Sequence, residues 1–327
     1  MRRRLRQPAE IPGNAQPHHR PPEGASMKKF LLATATLLAT ALTIGTAHAE
    51  DTLAKVKASG TITMGVRESS GVLSYTLGGE KYVGYHIAIC ERAIQNIEKA
   101  IGKKLTVKYQ PVTSQNRIPL VQNGTVDLEC GSTTNNATRQ KDVSFANTTF
   151  VEEVRIAVKA SSSIKSVTDL NGKTVATTTG TTSVQTLRKN KKAQGLEFNT
   201  LFGKDHSDSF LLLESGRADA FVMDGSLLAG LIARSKNPAD FKIVGEVLSV
   251  EPIAIMMRKD DDGLRKIVNA TIADMTKSGE IYELYNKWFM EPTPPTGAKV
   301  GLPMSDSLKD ALKHPNDKPM EDYAAKV

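Results

Sequence analysis

The 327-residue chain is poor in aromatic surface: Phe, Tyr and Trp make up 5 % of it, with a single Trp. Its two cysteines exclude a disulfide-dense scaffold and a four-thiolate zinc site. Beyond residue 49 only His86, His206 and His314 remain, at no metal-ligand spacing, so neither a metal centre nor a cofactor is expected. No apolar run reaches the ~20 residues that a membrane-spanning helix needs. A large excess of one charge is missing as well. The formal charge is +8, but residues 1–49 hold seven Lys/Arg against two Asp/Glu, which leaves 36 basic and 33 acidic side chains over the other 278 residues. A nearly balanced chain with few stacking platforms argues against a nucleic-acid partner. What is present is a 39 % hydrophobic content, enough for a packed core.

Lys28-Lys29, the apolar run over 30–44 and Ala47-His48-Ala49 follow the order of a secretory signal peptide, with cleavage after Ala49. Residues 1–26, rich in Pro, Arg and Gly, read as an extension upstream of a start at Met27. Arg2-Arg3-Arg4 lies too far from the apolar run to be a twin-arginine signal. The expectation is an exported chain that begins near Glu50.

Beyond the leader, short β-rich runs alternate with helical ones. Residues 61–67 read as a strand with Ile62, Met64 and Val66 on one face. Ile87, Cys90, Ile94, Ile97 and Ile101 recur at helical spacing before Gly102. Strands are expected at 105–109, 126–130, 174–178 and 241–244, and helices at 116–123 and 264–275. Such alternation implies an α/β fold of parallel sheets covered by helices. Two Rossmann-like lobes are expected, joined where the apolar runs 150–157 and 250–257 cross. The division is 1–49 for extension and leader, 50–155 with 250–290 for lobe 1, 156–249 for an inserted lobe 2, and 291–327 for a tail lying over the surface.

Two motifs invite enzymatic readings and fail. Gly172-Lys173-Thr174 resembles the end of a phosphate-binding loop, but Val167 stands where its first glycine belongs and a strand follows. His206, Asp208 and Ser209 suggest a hydrolase triad, yet there is no Gly-x-Ser-x-Gly elbow.

Polar residues at the strand ends are more informative, because ligands of open α/β sheets sit beyond the carboxyl ends of strands, against helix N-termini. Arg67 follows the first strand, Ser114 and Arg117 the second, and Ser132, Thr134 and then Arg139 the third. Thr181 and Thr182 follow the strand at 174–178, His206 opens a helix, and Asp224 closes Ala220–Met223. Each alone reads as a cap or a solvated charge; their convergence on two lobes points to a cleft. Arg67, Arg117 and Arg139 bring three cations to it and Asp224 one anion. An α-amino acid needs one partner of each sign. The two surplus arginines ask for a second carboxylate, since buried guanidinium without an anion is costly. A dicarboxylic amino acid such as glutamate or aspartate meets that demand.

The runs Arg67-Glu68-Ser69-Ser70, Thr113-Ser114-Gln115-Asn116-Arg117, Gly131-Ser132-Thr133-Thr134-Asn135-Asn136, Arg139-Gln140-Lys141, Gly180-Thr181-Thr182-Ser183 and Lys204-Asp205-His206 resemble the type II periplasmic solute-binding proteins of polar amino-acid ABC importers. They are similar in particular to the glutamate/aspartate-binding branch, in the same order over 50–325. The resemblance implies a monomeric periplasmic binding protein, not an enzyme, that serves membrane permease subunits by closing two lobes around its ligand. It implies Arg139 on the ligand α-carboxylate with the backbone N–H groups of Thr134 and Thr182. Asp224, helped by Ser132, would hold the ammonium, and Arg67, Ser114, Arg117 and His206 would surround the distal carboxylate. The sequence departs from the branch at Met223-Asp224-Gly225-Ser226, where a second acid and a small apolar residue are expected, and slightly at Thr177-Thr178-Thr179. Neither departure removes a charged contact. Glutamate and aspartate stay unranked.

Cys90 on the helical stripe and Cys130 on a strand of the same lobe read equally as two buried thiols or as a disulfide. Two other functions stay open at this level. A dehydratase on the same scaffold would need His206 or Glu129 as acid or base, and a sensory domain would present its ligand to a separate receptor.

Overall fold

The computed structural model describes residues 51–323. The expected signal peptide and its cleavage after Ala49 lie outside the described residues. The described residues belong to one compact unit.

The strands are β1 (Thr61–Val66), β2 (Ser69–Ser70), β3 (Ser74–Thr76), β4 (Tyr82–Val83), β5 (Thr106–Pro111), β6 (Leu128–Glu129), β7 (Val143–Phe145), β8 (Phe150–Lys159), β9 (Thr174–Thr178), β10 (Asn199–Gly203), β11 (Ala220–Asp224), β12 (Phe241–Ile253) and β13 (Met256–Arg258). The helices that matter most are α1 (Thr52–Ser59), α2 (Tyr85–Ile101), α3 (Arg117–Gln122), α4 (Thr182–Gln194), α5 (His206–Glu214), α6 (Gly225–Ala233), α7 (Asp262–Ser278), α8 (Glu280–Tyr285), α9 (Asp306–Lys313) and α10 (Met320–Tyr323).

Local sequence explains the central elements. Ile62, Met64 and Val66 alternate in β1 and are all fully buried. The α2 stripe buries Ile87, Cys90, Ile94 and Ile97 and packs on α7. Burying such aliphatic side chains contributes roughly 1.5–3 kcal/mol each. Gly102 ends α2 in the left-handed conformation, donating its N–H to Glu98 O. Cys90 and Cys130 form a disulfide that ties α2 to the segment leaving β6.

Two five-stranded sheets share one plan. The first runs β5-β1-β6-β13-β7 and the second β10-β9-β11-β8-β12. In each, three strands are parallel: β5, β1 and β6 in one, β10, β9 and β11 in the other. The remaining pairs are antiparallel, so the sheets are mixed where parallel ones were expected. The reason lies in the crossings. The chain goes out along β8 and returns along β12, and an out-and-back pair is necessarily antiparallel.

Those crossings also differ from the sequence expectation in extent. The strands at 241–244 and 250–257 are not separate units. The first half of the second, 250–253, joins the first in β12, with a register shift between Val244 and Ser249, and the chain breaks before β13. The 291–327 segment is more than a surface passenger, because α9 buries Leu308, Ala311 and Leu312 in the main core.

Candidate ligand-binding site

The parallel strands of each sheet point their carboxyl ends one way, and the polar residues singled out in the sequence sit at those ends. Arg67 follows β1, Ser114 follows β5, and Arg117 is the first residue of α3. Ser132 and Thr134 follow β6, and Arg139 opens a short 3-10 turn. From the second sheet, Thr181 and Thr182 lead into α4, His206 opens α5, and Asp224 ends β11. The first N–H groups of a helix have no intrahelical acceptor. The sequence therefore brings free donors together with guanidinium groups.

The two sets meet. Gly180, at φ +79°, has room for no Cβ, which would lie 2.9 Å from the backbone of Ser114. Arg139 donates from Nη1 to Thr134 O at 2.8 Å and from Nη2 to Gly180 O at 3.4 Å. Arg67, Arg117 and Arg139 are 0, 2 and 9 % exposed, so none is a solvated surface charge. Among the described residues, Nε and Nη1 of both Arg67 and Arg117 have no hydrogen-bond partner, nor do Ser114 Oγ and Asp224 Oδ1. Buried donors and acceptors in that state are costly, and here they include both signs of charge that an amino acid carries.

The structure corrects the anion count. Arg67 is paired: its Nη2 donates to Asp205 Oδ1 at 2.5 Å and to His206 Nε2 at 3.1 Å. Glu129, Glu152 and Glu251 are also buried nearby, at 0, 1 and 0 % exposure. Burial and repulsion from Arg139 push the Arg117 guanidinium down from its ordinary value, and Glu129 and Asp224 act the other way. Burial, with Glu152 and Glu251, raises the Asp224 carboxyl well above the carboxylate range. Burial also brings Glu152 up to about 7, although its bonds from Ser226 oppose this. The cleft thus buries like charges beside one another, Arg117 with Arg139 and Asp224 with Glu152 and Glu251, and the attractions between the two groups offset this only in part.

The hydroxyl and imidazole residues already bond within the protein. Thr134 Oγ1 and Thr182 Oγ1 both donate to Glu251 Oε2, at 2.7 and 2.6 Å. Thr181 Oγ1 donates to Thr178 O at 2.7 Å, and Ser132 Oγ lies 2.9 Å from Ser70 Oγ. His206 has Nδ1 3.0 Å from Thr178 Oγ1 and Nε2 facing Arg67. Burial and the Arg67 charge lower its pKa to about 3, so the ring is neutral near pH 7. With Arg67 donating to Nε2, the proton sits on Nδ1 and both nitrogens are engaged by the protein.

Asp205 and Glu251 are the site residues that the sequence reading passed over. Each left a signal. Asp205 is the residue before a helix start that was already noted, and Glu251 is an acid inside an apolar run, as is Glu152.

Comparison with known proteins places this architecture. The family model described as bacterial extracellular solute-binding proteins, family 3, matches residues 62–291. The chain is 44 % identical to the glutamate/aspartate import solute-binding protein of Salmonella typhimurium over 293 residues, 87 % of this chain and 97 % of that one. It is 45 % identical to the L-glutamate/L-aspartate-binding protein of Pseudomonas aeruginosa over 273 residues, 83 % of this chain and 90 % of that one. Among solved structures, an ancestral arginine-binding protein bound to arginine superposes with a TM-score of 0.63 at 31 % identity, covering 70 % of this chain and 98 % of that one. A cysteine-binding protein from Campylobacter jejuni does so with a TM-score of 0.64 at 25 % identity, covering 73 % and 92 %.

Proposed function

Because the chain belongs to the bacterial extracellular solute-binding proteins of family 3, we propose that it captures glutamate and aspartate between its two sheets and delivers them to the permease of an ABC importer. It acts as a monomer in the periplasm and performs no covalent chemistry. The family is one of binding proteins, and the relatives named for glutamate and aspartate support the ligand class.

In this reading Arg139 grips the α-carboxylate, together with the backbone N–H groups of Thr134 and Thr182, and Asp224 takes the ammonium. Arg117, Ser114 and the free edge of Arg67 meet the distal carboxylate. Asp205 and His206 hold Arg67 rather than the ligand. The lobes, 50–155 with 250–290 and 156–249, close about β8 and β12, and the ligand favours the closed form because each lobe supplies part of its shell.

The observation that carries the distal assignment is Arg117: buried, with Nε and Nη1 unpartnered, in a site whose other guanidiniums already have protein acceptors. Titration calorimetry with glutamate, aspartate, glutamine and asparagine tests it. Arg139→Ala is expected to abolish all binding, whereas Arg117→Ala loses the preference for diacids over amides. Glutamine bound as tightly as glutamate by the wild type refutes the distal assignment.

A further inference from the structure

Glu251 lies in β12 where the crossing strands run side by side, opposite Glu152 of β8, and is fully buried. Its Oε2 accepts from Thr134 Oγ1 and Thr182 Oγ1, and its Oε1 accepts from Ser249 Oγ at 2.7 Å. A carboxylate offers acceptors only, and each hydroxyl has one proton. Both threonine protons are therefore committed to the acid. The 3.3 Å between the two hydroxyl oxygens is a contact held by a shared acceptor, not a bond between them. The two threonines come from different sheets: Thr134 from the segment after β6, Thr182 from the start of α4 after β9. Glu251 is also the neighbouring acid that does most to favour the charged form of Arg139.

We propose that Glu251 is a positioning residue for the ligand site: its carboxylate clamps together the two segments that flank the α-carboxylate position, so that closure of the two sheets depends on it. It touches no ligand atom. The clamp acts at the end of the ligand that all α-amino acids share, so it sets overall affinity and leaves side-chain preference alone. The ligand orientation is that of the function proposed above.

Calorimetry with L-glutamate and L-aspartate, and small-angle scattering of the same samples, test the clamp. Glu251→Ala is expected to weaken both ligands by a common factor of roughly ten to a hundred, the range for losing charged hydrogen bonds, and to expand the saturated protein. Glu251→Gln restores part of the loss, because one amide oxygen can still accept from both threonines. Adding Thr182→Val to Glu251→Ala costs less than the two single effects combined, since both remove one interaction. Should Glu251→Ala not fold, Thr134→Val and Thr182→Val each remove one hydroxyl and carry the same expectation of a common loss. Wild-type affinity in these variants, a loss confined to one amino acid, or additive effects overturn the clamp. A wild type that binds neither amino acid, yet is compact and opens on Glu251→Ala, sinks the ligand assignment and keeps the clamp.

Discussion

Arg67 and Asp205 meet from opposite sheets, with Nη2 2.5 Å from Oδ1, and the second oxygen of Asp205 accepts from Ser69 Oγ. The acid at the start of α5 thus reaches across to the end of β1 and neutralises part of the charge that the sequence left unbalanced. Burial opposes ionisation of Asp205, but Arg67, His206 and the Ser69 hydroxyl outweigh it and hold the carboxyl below the ordinary range.

Replacing that acid tests the balance. Asp205→Asn frees positive charge in the cleft, and the ratio of glutamine to glutamate dissociation constants is expected to rise. An unchanged ratio contradicts the view that Asp205 offsets Arg67. The same variant has a pH signature. The lowered carboxyl of Asp205 contributes stability above its unfolded value and loses it as pH falls through the folded one. Acid unfolding of Asp205→Asn, followed by circular dichroism, therefore loses part of its steepness.

Gly180→Ala addresses how closely the sheets approach. At φ +79° an alanine costs about 1–2 kcal/mol in backbone conformation, and its Cβ would press on the Ser114 backbone, which cannot yield as a side chain would. The variant is expected to fold, to bind glutamate at least about tenfold more weakly, and to stay larger by small-angle scattering when ligand is added. Normal compaction on saturation refutes this.

Binding should move a proton. Burial, with Glu152 and Glu251, raises the Asp224 carboxyl well above the carboxylate range, whereas an ammonium partner favours its ionised form. Ligand uptake is then expected to release protons in the pH range where Asp224 titrates, and affinity to rise with pH through that range. Calorimetry in buffers of different ionisation enthalpy measures the release; zero transfer excludes this role for Asp224.

Glu152 offers a stability test of opposite sign to Asp205. Its pKa rises from 4.5 to about 7 on folding, so the unfolded chain ionises first and stability is lost as pH climbs through that window. The loss amounts to roughly 3 kcal/mol at most, taking 1.36 kcal/mol per unit. Glu152→Gln, which cannot ionise, is expected to remove this decline. Thermal melts of both proteins at pH 5 and pH 8 check it, and parallel losses in the two would contradict it.

Local patterns read directly from the chain were reliable where one element decides its own fate. The α2 stripe with Gly102 after it, the alternation in β1 and the position of the polar candidates at strand ends all depend on neighbours a few positions apart. The mixed sheets were not legible, because strand direction in β8 and β12 follows from the whole path of the chain. Nor was the helix in the tail credited with a share of the core, since Leu308, Ala311 and Leu312 gain meaning only from the face they cover.

The residue order by itself determined the alternating α/β plan and the gathering of Arg67, Arg117, Arg139 and Asp224 at the ends of the strands, because periodicity and helix starts are local properties. Only the tertiary structure decided how those charges are shared out. Asp205 stands 138 residues from Arg67, and Glu251 117 from Thr134. Electrostatic pairing in a desolvated cleft depends on distance in space, and chain separations of that length carry no record of it.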